Sequence, residues 1–278
     1  MAHASPRVDW AGTEHERAVH VPRIACLVPS VTELLFALGL GDQVVARTGF
    51  CIHPHDAVRR VPKIGGTKDP DLGRLRELAP THLIVNVDEN RREIVDAARA
   101  FVPHVVVTHP VALDENPRLY RLLGSVFARD HAAAALCEKF GDARGELAQV
   151  VKLLPRERVL YLIWTKPWMT VVAGTYIADV LAAAGWDIVR VDSPAARYPA
   201  IADDDRAWQD AERILLSTEP YAFVERHRTS LAAAKDRPVQ LIDAEMTSWY
   251  GPRAIDGMRY LARLRHALAR PHPHPAAH

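Results

Sequence analysis

The segment RTGFCIHPHD, residues 47–56, carries a thiol and two imidazoles within five consecutive positions, Cys51, His53 and His55. Thiolates and imidazoles are ligands that zinc, iron and cobalt accept in proteins, and a histidine beside a cysteine can also hold a reactive thiolate. The spacing C-x-H-x-H matches no zinc-finger pattern, and the chain has no Cys-x-x-Cys pair. We therefore predict Cys51 and His53 as candidate metal ligands, one of them donating to the metal of a bound macrocycle. An ordinary loop with a buried thiol is the alternative, and no catalytic residue is assigned.

Acidic and aromatic side chains that follow apolar runs form a second group of candidates. Asp88 and Glu89 come directly after THLIVNV and could bind a cationic or amide-bearing edge of a ligand. Two later loops are rich in aromatic residues that do not follow helical spacing, which favours a ligand-contacting wall over core packing. These two loops contain the candidates Trp164, Trp168, Trp249 and Tyr250, and a third loop, STEPYAF, adds Glu219 and Tyr221.

Composition limits the class of protein. The 278 residues are 49% hydrophobic and 25% charged, as in a folded protein large enough for two domains. A formal net charge of +1 gives no reason to expect a nucleic acid as partner, and three widely spaced cysteines do not suggest a disulfide framework. The charged N-terminal stretch lacks the apolar core of a signal peptide, and no apolar run reaches the roughly 18 residues of a membrane span. We expect a cytoplasmic protein without membrane insertion, or a periplasmic one if an upstream signal sequence is missing.

The elements that must position these candidates alternate along the chain. RIACLV, QVVART, THLIVNV and HVVVTH are expected strands of the first half, and RVLYLIW, DIVRVD, RILLST and PVQLID are those of the second. Helical segments separate the strands, and continuous apolar strands of this kind favour parallel sheets covered on both faces. Ser30 and Asn90 are expected to cap the helices that follow two of the strands. The pattern predicts an α/β fold with two Rossmann-like lobes, joined by one long backbone helix.

The predicted boundaries follow from this alternation. They are a polar, disordered leader at 1–22, an N-terminal α/β lobe at 23–127, a connecting helix at 128–154, a C-terminal α/β lobe at 155–270 and a disordered tail at 271–278. Ligands of such sheets bind beyond the carboxyl ends of the strands. The candidate residues are therefore expected to line one cleft between the lobes.

Three long stretches are similar to a known family. They begin RIACLVPSVTELLFALGLGDQVVARTGFCIHPHD, continue with KIGGTKDPDLGRLRELAPTHLIVNV and end with WTKPWMTVVAGTYIADVLAAAGWDIV. They resemble the helical-backbone (class III) periplasmic binding proteins, which are the cobalamin and ferric-siderophore receptors of ABC importers. The resemblance covers about residues 23–269 and implies a ligand held between two lobes by loops at the strand ends.

The resemblance also implies roles for particular residues. It assigns Ser30, Thr32, Phe50, Cys51, Gly66 and Thr67 to one wall of the binding site, and Trp164, Trp168 and Met169 to the other. It implies an ABC permease as partner, contacted by a surface glutamate on each lobe. Gly73 occupies the first-lobe position, so that contact is missing, whereas Glu212 is available in the second lobe.

Taken together, these features predict a binding protein for a corrinoid or another metal-bearing macrocycle or chelate, and not an enzyme. No cofactor is assigned apart from this ligand. Two alternatives are a cytoplasmic chelatase-like or corrinoid-modifying enzyme, which turnover of a tetrapyrrole would reveal, and an exported importer receptor whose start codon is misplaced.

Overall fold

The computed structural model describes residues 6–191 and 196–269. These residues divide into two compact units. The first unit contains residues 6–110, 114–140 and 250–252, and the second contains residues 111–113, 141–191, 196–249 and 253–269. Each unit has its own β-sheet, so the prediction of two α/β lobes is confirmed.

The first unit is built on four parallel strands. They are β1 (Ile24–Cys26), β2 (Val44–Arg47), β3 (His82–Asn86) and β4 (His104–Thr108), in the order β2-β1-β3-β4. The helices along this part of the chain are α1 (Pro29–Ala37), α2 (His55–Val58), α3 (Leu72–Glu77) and α4 (Arg92–Ala98). Leu27, Leu83 and Val85 belong to the core beneath one face. Strands buried on both faces need continuous apolar sequence, which is why the pattern identifies all four.

Two helices follow the first sheet, α5 (Asn116–Val126) and α6 (Asp130–Val151). α6 has 22 residues, lies within the stretch predicted as the connecting helix, and contains the boundary between the units after Phe140. The turn between α5 and α6 is tight. A Cβ placed on Gly124 would lie 2.5 Å from the Cβ of Ala133, so the close approach there requires glycine.

The second unit has a mixed sheet. Its strands are β5 (Glu157–Trp164), β6 (Trp168–Thr170), β7 (Trp186–Ile188), β8 (Ala200–Ile201), β9 (Arg213–Ser217) and β10 (Val239–Ile242). The order is β10-β9-β5-β6-β8, with β7 also paired to β5. β7, β9 and β10 run parallel as predicted. β6 and β8 pair in antiparallel fashion, which the apolar pattern does not predict because each has only two or three residues.

Helices cover this sheet, and they are α7 (Tyr176–Ala183), α8 (Ala207–Asp210), α9 (Glu225–Lys235), α10 (Glu245–Ser248) and α11 (Arg253–Ala269). Leu160 and Leu162 of β5 pack with Ile214 and Leu216 of β9 in one buried cluster. Alternate side chains of neighbouring strands thus face the same side of the sheet. The core fixes the carboxyl end of β5, where Trp164 lies.

The N-terminal segment, residues 6–22, packs on the first unit, so the prediction that residues 1–22 are disordered is wrong for this part. The Trp10 amide donates to the Val107 carbonyl at 3.1 Å, and the Val107 amide donates to the Asp9 carboxylate at 2.9 Å. β4 is an edge strand, and these bonds occupy groups that an edge leaves open. Asp9 also receives hydrogen bonds from the amides of Ala11 and Thr13, each at 2.9 Å. Residues 1–5 and the predicted tail at 271–278 lie outside the described residues.

Candidate functional site

The carboxyl edge of the first sheet brings together polar residues from distant parts of the chain. Cys26 ends β1, Cys51 lies in the loop after β2, and Glu89 lies in the loop after β3. Because these strands are parallel neighbours, their ends meet at one edge of the sheet. Tyr250 also belongs to this unit and completes the group.

The Cys51 thiol is enclosed by two threonines. Its sulfur lies 3.1 Å from the Thr32 hydroxyl and 3.2 Å from the Thr48 hydroxyl, and the residue has no exposed surface. The buried Arg47 guanidinium fixes this loop by donating to the Cys51 carbonyl at 2.9 Å. Burial raises the pKa of the Cys51 thiol, and it also raises the pKa of the neighbouring Cys26 thiol. Both cysteines are therefore neutral thiols held in the core.

These contacts do not favour the prediction of Cys51 as a metal ligand. Its sulfur lies buried between two threonine hydroxyls, and the residue has no exposed surface to offer the metal of a bound macrocycle. His53 is partly exposed, but the described residues contain no cluster of three or more His, Cys, Asp or Glu placed to hold a metal ion. A closed protein metal site is therefore absent from this part of the chain.

Two asparagines shape the loops of this edge. The Asn86 side chain accepts hydrogen bonds from the amides of Asp88, at 2.8 Å, and Glu89, at 3.3 Å. Asn90 accepts from the Asn86 amide at 2.8 Å and donates to the Thr67 carbonyl at 2.9 Å. The prediction that Asn90 caps α4 is therefore wrong, since its side chain joins two loops instead. It holds the Gly66–Thr67 turn beside the Glu89 loop.

Glu89 and Tyr250 form the most polar contact of the edge. The Tyr250 hydroxyl donates to Glu89 Oε1 at 2.6 Å, and the second carboxyl oxygen makes no hydrogen bond with any residue that the structure describes. Burial raises the pKa of Glu89 from 4.5 to about 7, although the Tyr250 hydrogen bond and Lys68 act in the opposite direction. Burial and the Glu89 charge also hold the pKa of Tyr250 well above its usual value. Near neutral pH this edge therefore presents a carboxyl group that changes charge.

The peptide around Tyr250 is anchored firmly in the first unit. The Gly251 amide donates to the Asn116 side chain at 2.7 Å, and the Tyr120 hydroxyl donates to the Gly251 carbonyl at 2.8 Å. Gly251 has a φ of 79°, and a Cβ there would lie 3.0 Å from the Ser30 carbonyl. Ser30 lies inside the first turn of α1, not at its cap as predicted, because Val28 is the N-cap. The buried Ser30 side chain lies close to the Tyr250 hydroxyl.

Charged and apolar side chains surround this group at the surface. The Lys68 ammonium donates to the Asp88 carbonyl at 2.8 Å, and His109 Nε2 lies 3.4 Å from the Asp88 carboxylate. Phe50 is 63% exposed at the same edge, so its ring is available to a ligand. His109 was not predicted. The sequence signal for it is its position at the carboxyl end of a strand, directly after β4, as Asp88 follows β3 by two residues.

The second unit contributes a cluster of aromatic rings, which we call the aromatic cluster. Trp164 and Tyr221 meet edge to face at 5.6 Å, and Tyr221 lies 4.7 Å from Phe223. Trp168 stacks on Phe223 at 6.2 Å and meets Trp208 at 5.5 Å. Trp164 is 39% exposed, whereas Phe223 and Trp208 are buried. Trp164 is thus the exposed ring of the cluster, and Trp168 packs against the core behind it.

His227 belongs to the aromatic cluster although the sequence did not single it out. Its ring lies 5.6 Å from Tyr221 and 5.7 Å from Phe223. The Val224 amide donates to His227 Nδ1 at 3.0 Å, so in the neutral ring the proton is on Nε2. This tautomer donates hydrogen bonds and does not offer Nε2 to a metal.

The other predicted site residues of the second unit lie outside the ring contacts of this cluster. The Arg253 guanidinium lies 5.3 Å from the Trp249 ring and pairs with Glu245 at 2.8 Å. Met169 pairs with Ala200 between β6 and β8, and its side chain is partly buried. Glu219 is exposed, and its carbonyl accepts a hydrogen bond from the Ser217 hydroxyl at 2.7 Å.

The profile of the periplasmic binding protein family matches residues 24–246. The chain belongs to this family. Among curated relatives, the vitamin B12-binding protein of Pectobacterium carotovorum subsp. carotovorum (strain PC1) is 22% identical over 84% of each chain. The vitamin B12-binding protein of Vibrio vulnificus (strain CMCP6) is 23% identical over 76% of this chain and 74% of the relative.

Solved structures of the family share the fold. The periplasmic vitamin B12 binding protein BtuF of Vibrio cholerae gives a TM-score of 0.77 at 19% identity, over 90% of this chain and 98% of that one. The periplasmic heme-binding protein RhuT from Roseiflexus sp. RS-1 gives 0.75 at 20% identity, over 90% and 99%. At such identities the likeness establishes the fold of a periplasmic binding protein but does not identify the ligand.

Family membership confirms the resemblance seen in the sequence. The family is described as periplasmic binding proteins, which supports the periplasmic alternative and not the cytoplasmic prediction. Among the helices of the described residues, none has the length and apolar character needed to cross a bilayer.

Proposed function

We propose that this protein is a receptor that reversibly binds a corrinoid or another metal-bearing macrocycle or chelate. The observation that carries the proposal is the exposed Trp164 ring at the carboxyl end of β5, supported from behind by Tyr221 and the rest of the aromatic cluster. Aromatic faces suit flat macrocycles because they bury a large area with little loss of rotamer freedom. A rigid ring backed by a core is a better platform than a mobile one.

The relatives support this ligand class. Some bind vitamin B12 and others bind heme, and both ligands are macrocycles that carry a metal. Phe50 and the Glu89–Tyr250 pair on the first unit provide one apolar and one polar contact for such a ligand. The ligand would be held without covalent chemistry and released unchanged.

By analogy with its family, we infer that the protein works in the periplasm and delivers its ligand to an ABC permease. Glu212 is exposed and could meet a permease cation, although its carboxylate already accepts from the Arg158 amide at 2.6 Å. Gly73 on α3 offers no side chain for the corresponding contact of the first unit. A permease partner would therefore have to use other groups there.

The first test is a titration of the intrinsic tryptophan fluorescence with dicyanocobinamide and, separately, with hemin. Replacing Trp164 by alanine is expected to weaken binding of the preferred ligand about tenfold or more, because an aromatic contact contributes about 0.5–1.5 kcal/mol in addition to the free energy of the apolar area that it buries. Leu153→Ala is the matched control, since Leu153 is 83% exposed and precedes the opposite end of β5.

The outcomes separate the alternatives. Stoichiometric binding that depends on Trp164, with the ligand recovered unchanged, supports a receptor. Conversion of the ligand would favour the enzyme alternative. Failure of the wild-type protein to bind either probe would contradict the proposed ligand class.

A further inference from the structure

We propose that Glu89, held by Tyr250, is a specificity-determining residue that selects ligands fringed with neutral primary amides over ligands fringed with carboxylates. This inference rests on the proposed function, because it names the chemical edge of the macrocycle that the first unit accepts. Corrinoids of the cobinamide type carry amides, whereas heme carries carboxylates.

The geometry leaves one half of the Glu89 carboxyl group for a ligand. Oε1 accepts the short hydrogen bond from Tyr250, and Oε2 has no hydrogen-bond partner among the described residues. Most of Glu89 is buried, but the residue keeps part of its surface exposed, so the loops do not enclose it completely. Three hydrogen bonds hold the opposing peptide in place, from Tyr250, Gly251 and Tyr120. The position of the carboxyl group is therefore set before a ligand arrives.

An ionised carboxyl oxygen only accepts hydrogen bonds. A primary amide can donate to it, whereas a ligand carboxylate has no proton to donate and is repelled. Selectivity arises in this way when a buried polar group is satisfied by one ligand and opposed by another. The carboxyl edge therefore favours ligand groups that donate a hydrogen bond over ligand groups that carry a negative charge.

The neighbouring charges favour the same choice. The titratable and charged groups that face Glu89 are Tyr250 on the anchored peptide, Lys68 after β2, Asp88 on the same loop and Cys26 at the end of β1. The Lys68 ammonium is already bonded to the Asp88 carbonyl, and His109 lies against the Asp88 carboxylate. Asp88 adds a second acidic group, so the local cations do not form a free anion site.

The selectivity is expected to change with pH. The pKa of Glu89 is raised to about 7 by burial, so the side chain is mostly ionised at pH 8 and mostly neutral at pH 6. A neutral carboxyl group can donate its proton to a ligand carboxylate. The preference for amides should therefore be strong at pH 8 and weaker at pH 6.

The test compares two probes that share a corrin ring, dicyanocobinamide with amide side chains and dicyanocobyrinic acid with carboxylates. Their dissociation constants are measured at pH 6 and pH 8 for the wild type, Glu89→Gln and Glu77→Gln. Glu77 is an exposed glutamate at the end of α3, so its variant controls for loss of one negative charge. We expect the wild type to prefer the amide probe at pH 8, and Glu89→Gln to reduce that ratio about tenfold, the equivalent of about 1.4 kcal/mol, while Glu77→Gln leaves it unchanged.

Tyr250→Phe is the second variant, because it keeps the ring and removes only the hydroxyl. Loss of its hydrogen bond removes stabilisation of the Glu89 anion, so the pH at which the amide preference appears should move upward. A residue that merely supports the fold would not shift this midpoint. The two variants together test the carboxyl group and its positioning residue.

Three results would overturn the inference. Equal probe ratios in the wild type and Glu89→Gln would remove the role of Glu89 while keeping the corrinoid receptor. A wild-type preference for the carboxylate probe at pH 8 would reverse the assigned selectivity. Failure of both corrin probes to bind any variant or the wild type would overturn the inference. The proposed function would fall with it only if the wild type also failed to bind hemin.

Discussion

The strands of the first sheet bury titratable groups of opposite kinds at their two ends, which we call the carboxyl edge and the amino edge. At the carboxyl edge, burial raises the pKa of Glu89 to about 7. At the amino edge, His82 begins β3 and stacks on His104 of β4 at 4.7 Å, and burial together with the nearby His104 and His15 lowers the pKa of His82 to about 4. In both cases the folded protein favours the neutral side chain. The same physical cause therefore gives opposite dependence on pH.

The folded Glu89 binds its proton more tightly than an ordinary glutamate of pKa 4.5. Its contribution to stability is present below pH 4.5 and is lost as the pH rises through about 7. The contribution of His82 is present above its ordinary pKa of 6.5 and is lost as the pH falls through about 4. Between pH 4.5 and 6.5 a rise in pH lowers the free energy of unfolding through Glu89 and raises it through His82. Replacing one of these residues should therefore reveal the pH dependence that the other causes.

The largest effect is expected from Asp9→Ala, which breaks the attachment of the N-terminal segment to β4 and removes the partner of His15, one of the groups that lower the pKa of His82. The Asp9 carboxylate receives three backbone hydrogen bonds and lies 3.0 Å from His15 Nε2. Its loss leaves these donors without their acceptor, which should lower the free energy of unfolding by about 3–4 kcal/mol. Urea denaturation at pH 7 and amide hydrogen exchange at Val107 measure the change.

Asp42→Ala is the control for this prediction, because Asp42 is exposed and makes no ion pair within the described residues. Normal protection of Val107 in Asp9→Ala would show that other contacts attach the segment.

Glu89→Gln removes the titratable group of the carboxyl edge, so that only the contribution of His82 remains. The variant should be more stable than the wild type at pH 8, by at most about 3 kcal/mol, and nearly equal to it at pH 4.5, because glutamine stays neutral. Acidification below pH 6.5 should then destabilise the variant more steeply than the wild type, since the slope due to His82 is no longer opposed. Urea denaturation between pH 4.5 and pH 8 measures the free energy of unfolding and tests both the gain at pH 8 and the steeper loss below pH 6.5.

A stability difference that is the same at every pH would contradict the assigned linkage. Glu77→Gln should show no such pH dependence, because its side chain is exposed.

His82→Gln tests the opposite edge and should have the smallest net effect. Loss of ring contacts with His104 and Phe127 should cost about 1–2 kcal/mol at pH 7. Below pH 6.5 the deficit should shrink, because the variant has no histidine to protonate at this position. Thermal unfolding followed by circular dichroism from pH 5 to pH 7 measures it.

The matched control is His55→Gln, since the His55 side chain is 61% exposed. A deficit for His82→Gln that grows on acidification would contradict the lowered pKa of His82.

The sequence was sufficient for the order of strands and helices because buried parallel strands leave continuous apolar runs. The same logic correctly placed Glu89 and Cys51 after strand ends. It could not reveal that Cys51 turns inward, because that orientation depends on Thr32, Thr48 and Arg47 packing around it. Asn90 occupies the position of a helix cap in the sequence, but its side-chain amide donates to the Thr67 carbonyl in another loop.

Long-range contacts account for the other differences. Tyr250 and Glu89 are 161 residues apart in sequence, so no local pattern joins them. The polar composition of residues 6–22 is typical of a disordered leader. The hydrogen bonds of Asp9 that order this segment form only in the folded chain, so composition does not reveal them. The short strands β6 and β8 contain too few residues for alternation to be recognised.

The anchored peptide at residues 250–252 has a consequence for the inheritance of this gene. A gene segment that ends after the codon for Phe140 would encode the strands and helices of the first unit up to the boundary in α6, but not Tyr250 or Gly251. Glu89, Asn116 and Tyr120 would lose the partners that these two residues supply. Recombination with a single crossover thus cannot transfer the first unit intact, and the two halves of the gene are expected to be exchanged together.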